Sequence, residues 1–326
     1  MKKEIKRIMV TGALGQIGSE LTSALRGSFG ADNVVATDCR PQPPERLKDI
    51  GLFHSADVTD IDALERIVRQ YDIDTVFHLA AILSATGERN PQLCWQVNMN
   101  GTLNILELGL RHRMARIIIP SSIAVWGKGV PLENTPQETV LKPSTMYGVT
   151  KVCGELLGDY YVQHFGLDVR GLRYPGIISH ETPPGGGTTD YAVAIFYDAV
   201  AKGRYTCFVR EDTVLPMMYM PDAIQATIRL AEADFSRLRH HSDFNLAAMS
   251  FSAGELAGCI RKHLPHFEIS YEPDYHQAIA DSWPRSIDDS AARKEWGWKP
   301  EWDLESMTRD MLAHLQARMA KPGTIK

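Results

Sequence analysis

Short apolar runs alternate with amphipathic stretches through the first 175 residues. Residues 7–11 read as a buried strand, and a helix reaching about residue 29 follows after a glycine-rich turn. A second strand over 33–37 ends at Asp38, and a weaker third, 52–55, leads to Asp57 and Val58. Next come a helix (61–70), a strand (75–79), a long helix (91–112) and an isoleucine-rich strand (116–120). A helix carrying Tyr147 and Lys151 runs to about residue 165, and a sixth strand spans 168–174. Apolar runs bounded by turn residues mark strands, and a 3.6-residue period marks helices. Their alternation predicts an α/β fold with a doubly wound parallel sheet and right-handed crossovers.

After Pro175 the period breaks up. Residues 183–187 are turn-rich, and helical periodicity resumes at 190–202. Apolar runs at 205–209 and 217–220 then alternate with helices at 221–233 and from 252, where Ser252 and Glu255 have capping-box spacing. The expectation is a first domain over 1–175 and a smaller mixed α/β substrate domain over 176–326, with no sharp shift in composition between them.

Composition narrows the function classes. The chain has 326 residues, 44% of them hydrophobic, and a formal net charge of −5. That leaves no basic footprint for nucleic acid and no polybasic membrane patch. The first residues are charged, and the apolar run behind them is too short for a signal segment or a membrane span. Five dispersed cysteines lack any metal-ligand spacing and suit a reducing compartment. We therefore expect a soluble, cytoplasmic protein with no metal.

Two constellations carry chemistry. Gly12, Gly15 and Gly18 lie between a strand and a helix, the context of a dinucleotide fingerprint on a Rossmann-type sheet. Gly12 suits the tight turn, Gly15 the approach of a pyrophosphate, and Gly18 close helix–strand packing, with Gln16 and Ile17 opening the helix under the anion. Asp38 ends the second strand where a carboxylate binds ribose hydroxyls and repels a 2′-phosphate, which favours NAD. Arg40, beside Cys39, is the residue that argues the other way. Asp57 and Val58 are candidates for the adenine, and Leu79, Ala80 and Ala81 for a close backbone pass. Asn98 reads as ordering the base or a water, or as a solvated helix residue. The second constellation is Tyr147 and Lys151, one turn apart on one helix face. A cation beside a phenol favours the phenolate and makes it a usable base.

Together with Asp57-Val58, Ala80-Ala81 and Ser121-Ser122-x-Ala124-Val125-Trp126-Gly127, these motifs resemble the extended short-chain dehydrogenase/reductase family across the whole N-terminal half. The strings Leu83-Ser84-Ala85-x-Gly87-Glu88, Leu172-Arg173-Tyr174-Pro175-Gly176-Ile177-Ile178-Ser179, 184–191, 215–220 and 280–284 resemble its threonine-oxidising branch. The resemblance implies NAD-dependent oxidation of L-threonine to 2-amino-3-oxobutanoate, which leads on to glycine or aminoacetone. Tyr147 would take the proton, Lys151 would lower its pKa and hold the nicotinamide ribose, and Ser122 would position the substrate hydroxyl, with Ser121 as the less favoured choice. Tyr174 and Ile177 would border the nicotinamide. Ser84, Gly187, Thr188 and Thr189 would hold the amino acid and Trp283 would close over it, although Thr189 reads equally as a helix N-cap. A homodimer through a four-helix bundle is also implied. The alternatives are a nucleotide-sugar epimerase or dehydratase, for which only Arg204, Arg210 and Arg285 argue, and a non-catalytic NAD-sensing regulator, which has no need of Ser122, Tyr147 and Lys151 together.

Overall fold

A computed structural model describes residues 4–185 and 187–320, so Gly186 of the predicted turn lies outside the described residues, as does the side chain of Arg46. Six strands form one parallel sheet in the order Phe53–Ser55, Val34–Asp38, Ile8–Thr11, Thr75–His78, Arg116–Ile118, Val169–Arg170. The central strands are buried from end to end, as a sheet covered on both faces requires. Gln16–Phe29 and Met220–Glu232 pack on one face with Leu21, Leu25, Ala223 and Leu230. Ile61–Tyr71 and Gly101–Arg111 cover the other. Strand order reverses between Ile8–Thr11 and Thr75–His78, where doubly wound sheets open a ligand crevice at the strand ends.

Three differences from the sequence reading bear on the site. The predicted sixth strand is two strands, Val169–Arg170 in the main sheet and Leu172–Tyr174 in another. Gly171 bonds to His241 and Phe244 between them, so the chain steps from one sheet to the next. Leu172–Tyr174 pairs in parallel with Phe244–Asn245 and with Ser121–Ser122, a strand too short for its periodicity to be read. Second, Ser84 opens a short helix, Ser84–Arg89, where a loop was expected. Third, the long helix contains a wide π-helical turn, Gln96–Asn100, a feature frequent at functional sites.

Beyond residue 175, Gly176–Ile178, Val214–Tyr219 and Met249–Ser252 form a small mixed sheet, and Arg204–Cys207 pairs in parallel with Glu268–Tyr271. Ser252 and Glu255 form the expected capping box. Among the described residues, no helix is long and apolar enough to cross a membrane.

Candidate active site

The glycine turn is shaped by what it touches. Gly12 has φ +65°, and a Cβ there would lie 2.7 Å from the Ala80 nitrogen and 2.9 Å from the Leu79 carbonyl carbon. The turn and the end of Thr75–His78 therefore meet backbone to backbone, with Ala80 and Ala81 half-buried at the contact. A Cβ on Gly18 would lie 2.1 Å from the Gly12 oxygen, which is the close packing expected of it. Gly15 caps Gln16–Phe29 with no side-chain bond, and the first turn, with Gln16 and Ile17, has no acid. Its first N–H groups are left to an external anion. This cradle fits a dinucleotide pyrophosphate.

Asp38 is buried at its strand end. Its carboxylate accepts from the Leu14 amide at 3.2 Å and from the Arg40 guanidinium at 2.8 and 2.9 Å. Burial works against the charge, but Arg40 outweighs it and holds Asp38 below the ordinary carboxylate range. Arg40 thus faces the acid. Cys39 is exposed beside them. Asp57 caps its own turn through Thr59, and Val58 is buried against Gly101. Asn98 is not a solvated helix residue: its amide donates to the Ile82 carbonyl (3.1 Å) and Thr150 Oγ1 (2.9 Å), and accepts from the Ile82 amide (2.8 Å). It ties the loop after Thr75–His78 to the Tyr147 helix.

That helix, Met146–Phe165, is capped by Thr145, whose hydroxyl accepts from the Gly148 amide. A Cβ on Gly148 would lie 2.2 Å from the Ala124 oxygen, so only glycine lets the first turn press on the Ile123–Val125 turn. This approach brings Tyr147 to Ser122, whose hydroxyl lies close enough to favour the phenolate. The Lys151 ammonium donates to the Pro120 carbonyl at 2.7 Å and lies 5.5 Å from the centre of the Tyr147 ring. Ser121, by contrast, is buried and donates to Glu155 at 2.5 Å, which leaves Ser122 as the hydroxyl on the open side. Burial pushes Tyr147 up to about 12, with Ser122 working against it. Burial also lowers Lys151 to about 8, opposed by Glu155. The lysine was expected to draw the phenol down, but burial prevails.

The other candidates divide. Ile177 is half-buried in Gly176–Ile178, while the Tyr174 phenol is turned into the core, bonded to Thr227. Ser84 sits half-buried at its helix start. The Gly187 N–H, expected to be open to a carboxylate, donates to Asp190 at 2.8 Å, and Asp190, not Thr189, stands at the N-cap. Thr188 is buried, and a Cβ on Gly176 would touch Thr189. Trp283 already packs in the core and is not a flap standing open.

Sequence reasoning missed Glu155. It is buried, with both oxygens held by Arg173 at 2.8 Å, a pair whose disruption costs roughly 3–5 kcal/mol. It stands four residues after Lys151, and the spacing that joined Tyr147 to Lys151 would have found it. His180, far in sequence from Asp310 and His314 on Leu304–Met319, has a ligating atom within 4.8 Å of theirs. The two imidazoles stack 3.9 Å apart at 3°, however, so their in-plane lone pairs lie in separate planes and do not converge on one ion.

Residues 8–247 match the NAD dependent epimerase/dehydratase family. An uncharacterized epimerase/dehydratase of Staphylococcus haemolyticus is 49% identical over 315 residues, 96% of this chain and 99% of its own. The structure is similar to that of L-threonine dehydrogenase from Clostridium difficile, with a TM-score of 0.94 and 49% identity over 97% of this chain and 99% of that one. It is also similar to a monomeric L-threonine 3-dehydrogenase from a metagenome, with a TM-score of 0.91 and 50% identity over 95% and 99%.

Proposed function

We propose that this chain, which belongs to the NAD dependent epimerase/dehydratase family, is an L-threonine 3-dehydrogenase that oxidises L-threonine to 2-amino-3-oxobutanoate. The observation that carries the reading is Ser122, Tyr147 and Lys151 meeting beside the Gly12–Ala80 cradle. The near full-length likeness to L-threonine dehydrogenases supports the substrate. Residues 1–175 hold the dinucleotide and 176–326 contribute to the amino-acid pocket.

Gln16, Ile17 and the glycine turn receive the pyrophosphate, and Asp38 the adenosine ribose. NAD, when bound, supplies the hydride acceptor. Ser122 holds the Cβ oxygen of threonine and Tyr147 removes its proton. Lys151 keeps a positive charge beside the phenol and orients the ribose. Ser84, Thr188 and Thr189 supply the polar groups that a small zwitterion needs. The test is NADH absorbance on adding L-threonine to the protein with NAD. Turnover of a UDP-sugar without turnover of threonine overturns the reading.

The base sets the sign of the pH dependence. With Tyr147 pushed up to about 12, the phenol is protonated at neutral pH. Its phenolate fraction rises about tenfold per pH unit below the midpoint. At saturating NAD, kcat/KM for threonine should therefore climb from pH 7 to about 8 and level off above it, where Lys151 gives up the charge that supports the phenolate. A flat profile would mean that Tyr147 is not the base.

The same reading includes a homodimer. Trp95, Leu103, Leu156 and Tyr160 are exposed on two neighbouring helices, Leu156 to 64%. An apolar face of this kind is suited to pair with its own copy across a two-fold axis. Sedimentation should give a dimer that the double variant Leu156→Glu/Tyr160→Glu converts to monomer. A wild-type monomer would sink this part of the proposal and leave the activity untouched.

A further inference from the structure

Behind the reacting face lies a buried chain of charge that the mechanism above leaves unused. Lys151 and Glu155 are one turn apart on Met146–Phe165, and both border a cavity of about 20 Å³ with Ser121, Asn98, Thr150 and Ser242, room for about one water. Glu155 Oε1 accepts from Ser121 at 2.5 Å, and both its oxygens take the Arg173 guanidinium. Arg173 in turn donates to the Gln137 carbonyl and Asn245 Oδ1, and lies over the Trp126 ring. Strand pairing sets Ser121 opposite Arg173 and Ser122 opposite Tyr174. One carboxylate therefore touches the residue before Ser122 and acts on the residue that flanks Tyr147.

The groups facing Lys151 are few. His78, from the strand beneath, is kept neutral by burial, its Nδ1 bonded to Thr11. The Cys94 thiol, from Pro91–Trp95, is pushed up by burial and stays protonated. Tyr147 is protonated at neutral pH. Glu155 itself faces Arg173 and Asp243, and burial raises Asp243 to about 6. Glu155 is the group that opposes loss of the Lys151 charge at neutral pH.

The geometry points to Glu155 as a positioning residue of the reaction: its carboxylate holds the charge on Lys151 and, through Ser121, fixes the strand that presents Ser122. The inference rests on the dehydrogenase reading above and deepens it. Without the carboxylate, burial lowers Lys151 further, the ammonium is lost at lower pH, and the phenolate loses its cation as pH rises.

The test compares kcat/KM for threonine from pH 7 to 9 in wild type, Glu155→Gln, Glu155→Asp and Ser121→Ala. Glu155→Gln should lose activity by a factor that grows severalfold with pH. The two variants that keep the carboxylate should lose activity by a factor that does not change with pH, mostly in kcat. A loss in Glu155→Gln that is equal at every pH marks a purely structural role and overturns the inference. Should Glu155→Gln not fold, competitive lysine labelling of the wild-type protein reads Lys151 directly. A midpoint near 8 is expected, and one below 7 means that Glu155 does not hold the charge. Labelling does not depend on turnover, so failure of the inference is separable from failure of the threonine reading.

Discussion

Tyr147→Phe should lower kcat by roughly 10²–10⁴-fold, the span associated with a positioned general base, while NAD binding stays near wild type. The substitution removes one oxygen and keeps the ring, which packs half-buried at the edge of a core cluster. The helix start is held by Thr145 and by the fit of Gly148 against Ala124, neither of which involves the phenol. The cradle for the dinucleotide lies on other elements, at Gly12, Gly15 and Ala80. Loss of turnover with unchanged NAD affinity, read by fluorescence titration and initial rates, is the expected pair of results. A variant that keeps more than about a tenth of wild-type kcat would show that another group takes the proton.

The second large effect concerns the choice of dinucleotide. Asp38→Ala should raise the NADP-to-NAD ratio of kcat/KM by about tenfold to a hundredfold, the worth of one charge-assisted contact. In the native chain the Arg40 guanidinium is held on the Asp38 carboxylate by two short bonds. Removing the acid deletes the repulsion of a 2′-phosphate and frees an arginine beside the same place. The Leu14 amide also loses its acceptor at the glycine turn, so KM for NAD should rise in parallel. Wild-type selectivity in the variant, measured with both dinucleotides, would mean that Asp38 does not face the ribose.

Much of this was legible in the amino-acid order, because it rests on local periodicity and short spacings. The glycine turn, the acid at the end of the second strand and the Tyr147/Lys151 pair each lie within one element or one turn, where chain geometry alone sets distances. Side-chain commitments were not legible. Asn98 and Gly187 carry polar groups that looked free for ligands, yet partners packed against them take those groups up: Ile82 and Thr150 for Asn98, and Asp190 for Gly187. Tyr174 sits where a nicotinamide neighbour was expected, and its phenol is spent on Thr227. A buried polar group must find a partner, and which partner it finds depends on elements distant in the sequence.

The order of residues by itself determined the doubly wound parallel sheet, the glycine turn and the pairing of Tyr147 with Lys151, since each follows from periods of two and 3.6 and from glycine's missing Cβ. Only the tertiary structure decided that Ser122 and not Ser121 faces the phenol, because strand pairing with Leu172–Tyr174 and the bond to Glu155 draw Ser121 inward. It also decided the charge state of the site, because burial, which pushes Tyr147 up and Lys151 down, is a property of everything packed around a residue and not of its neighbours in sequence.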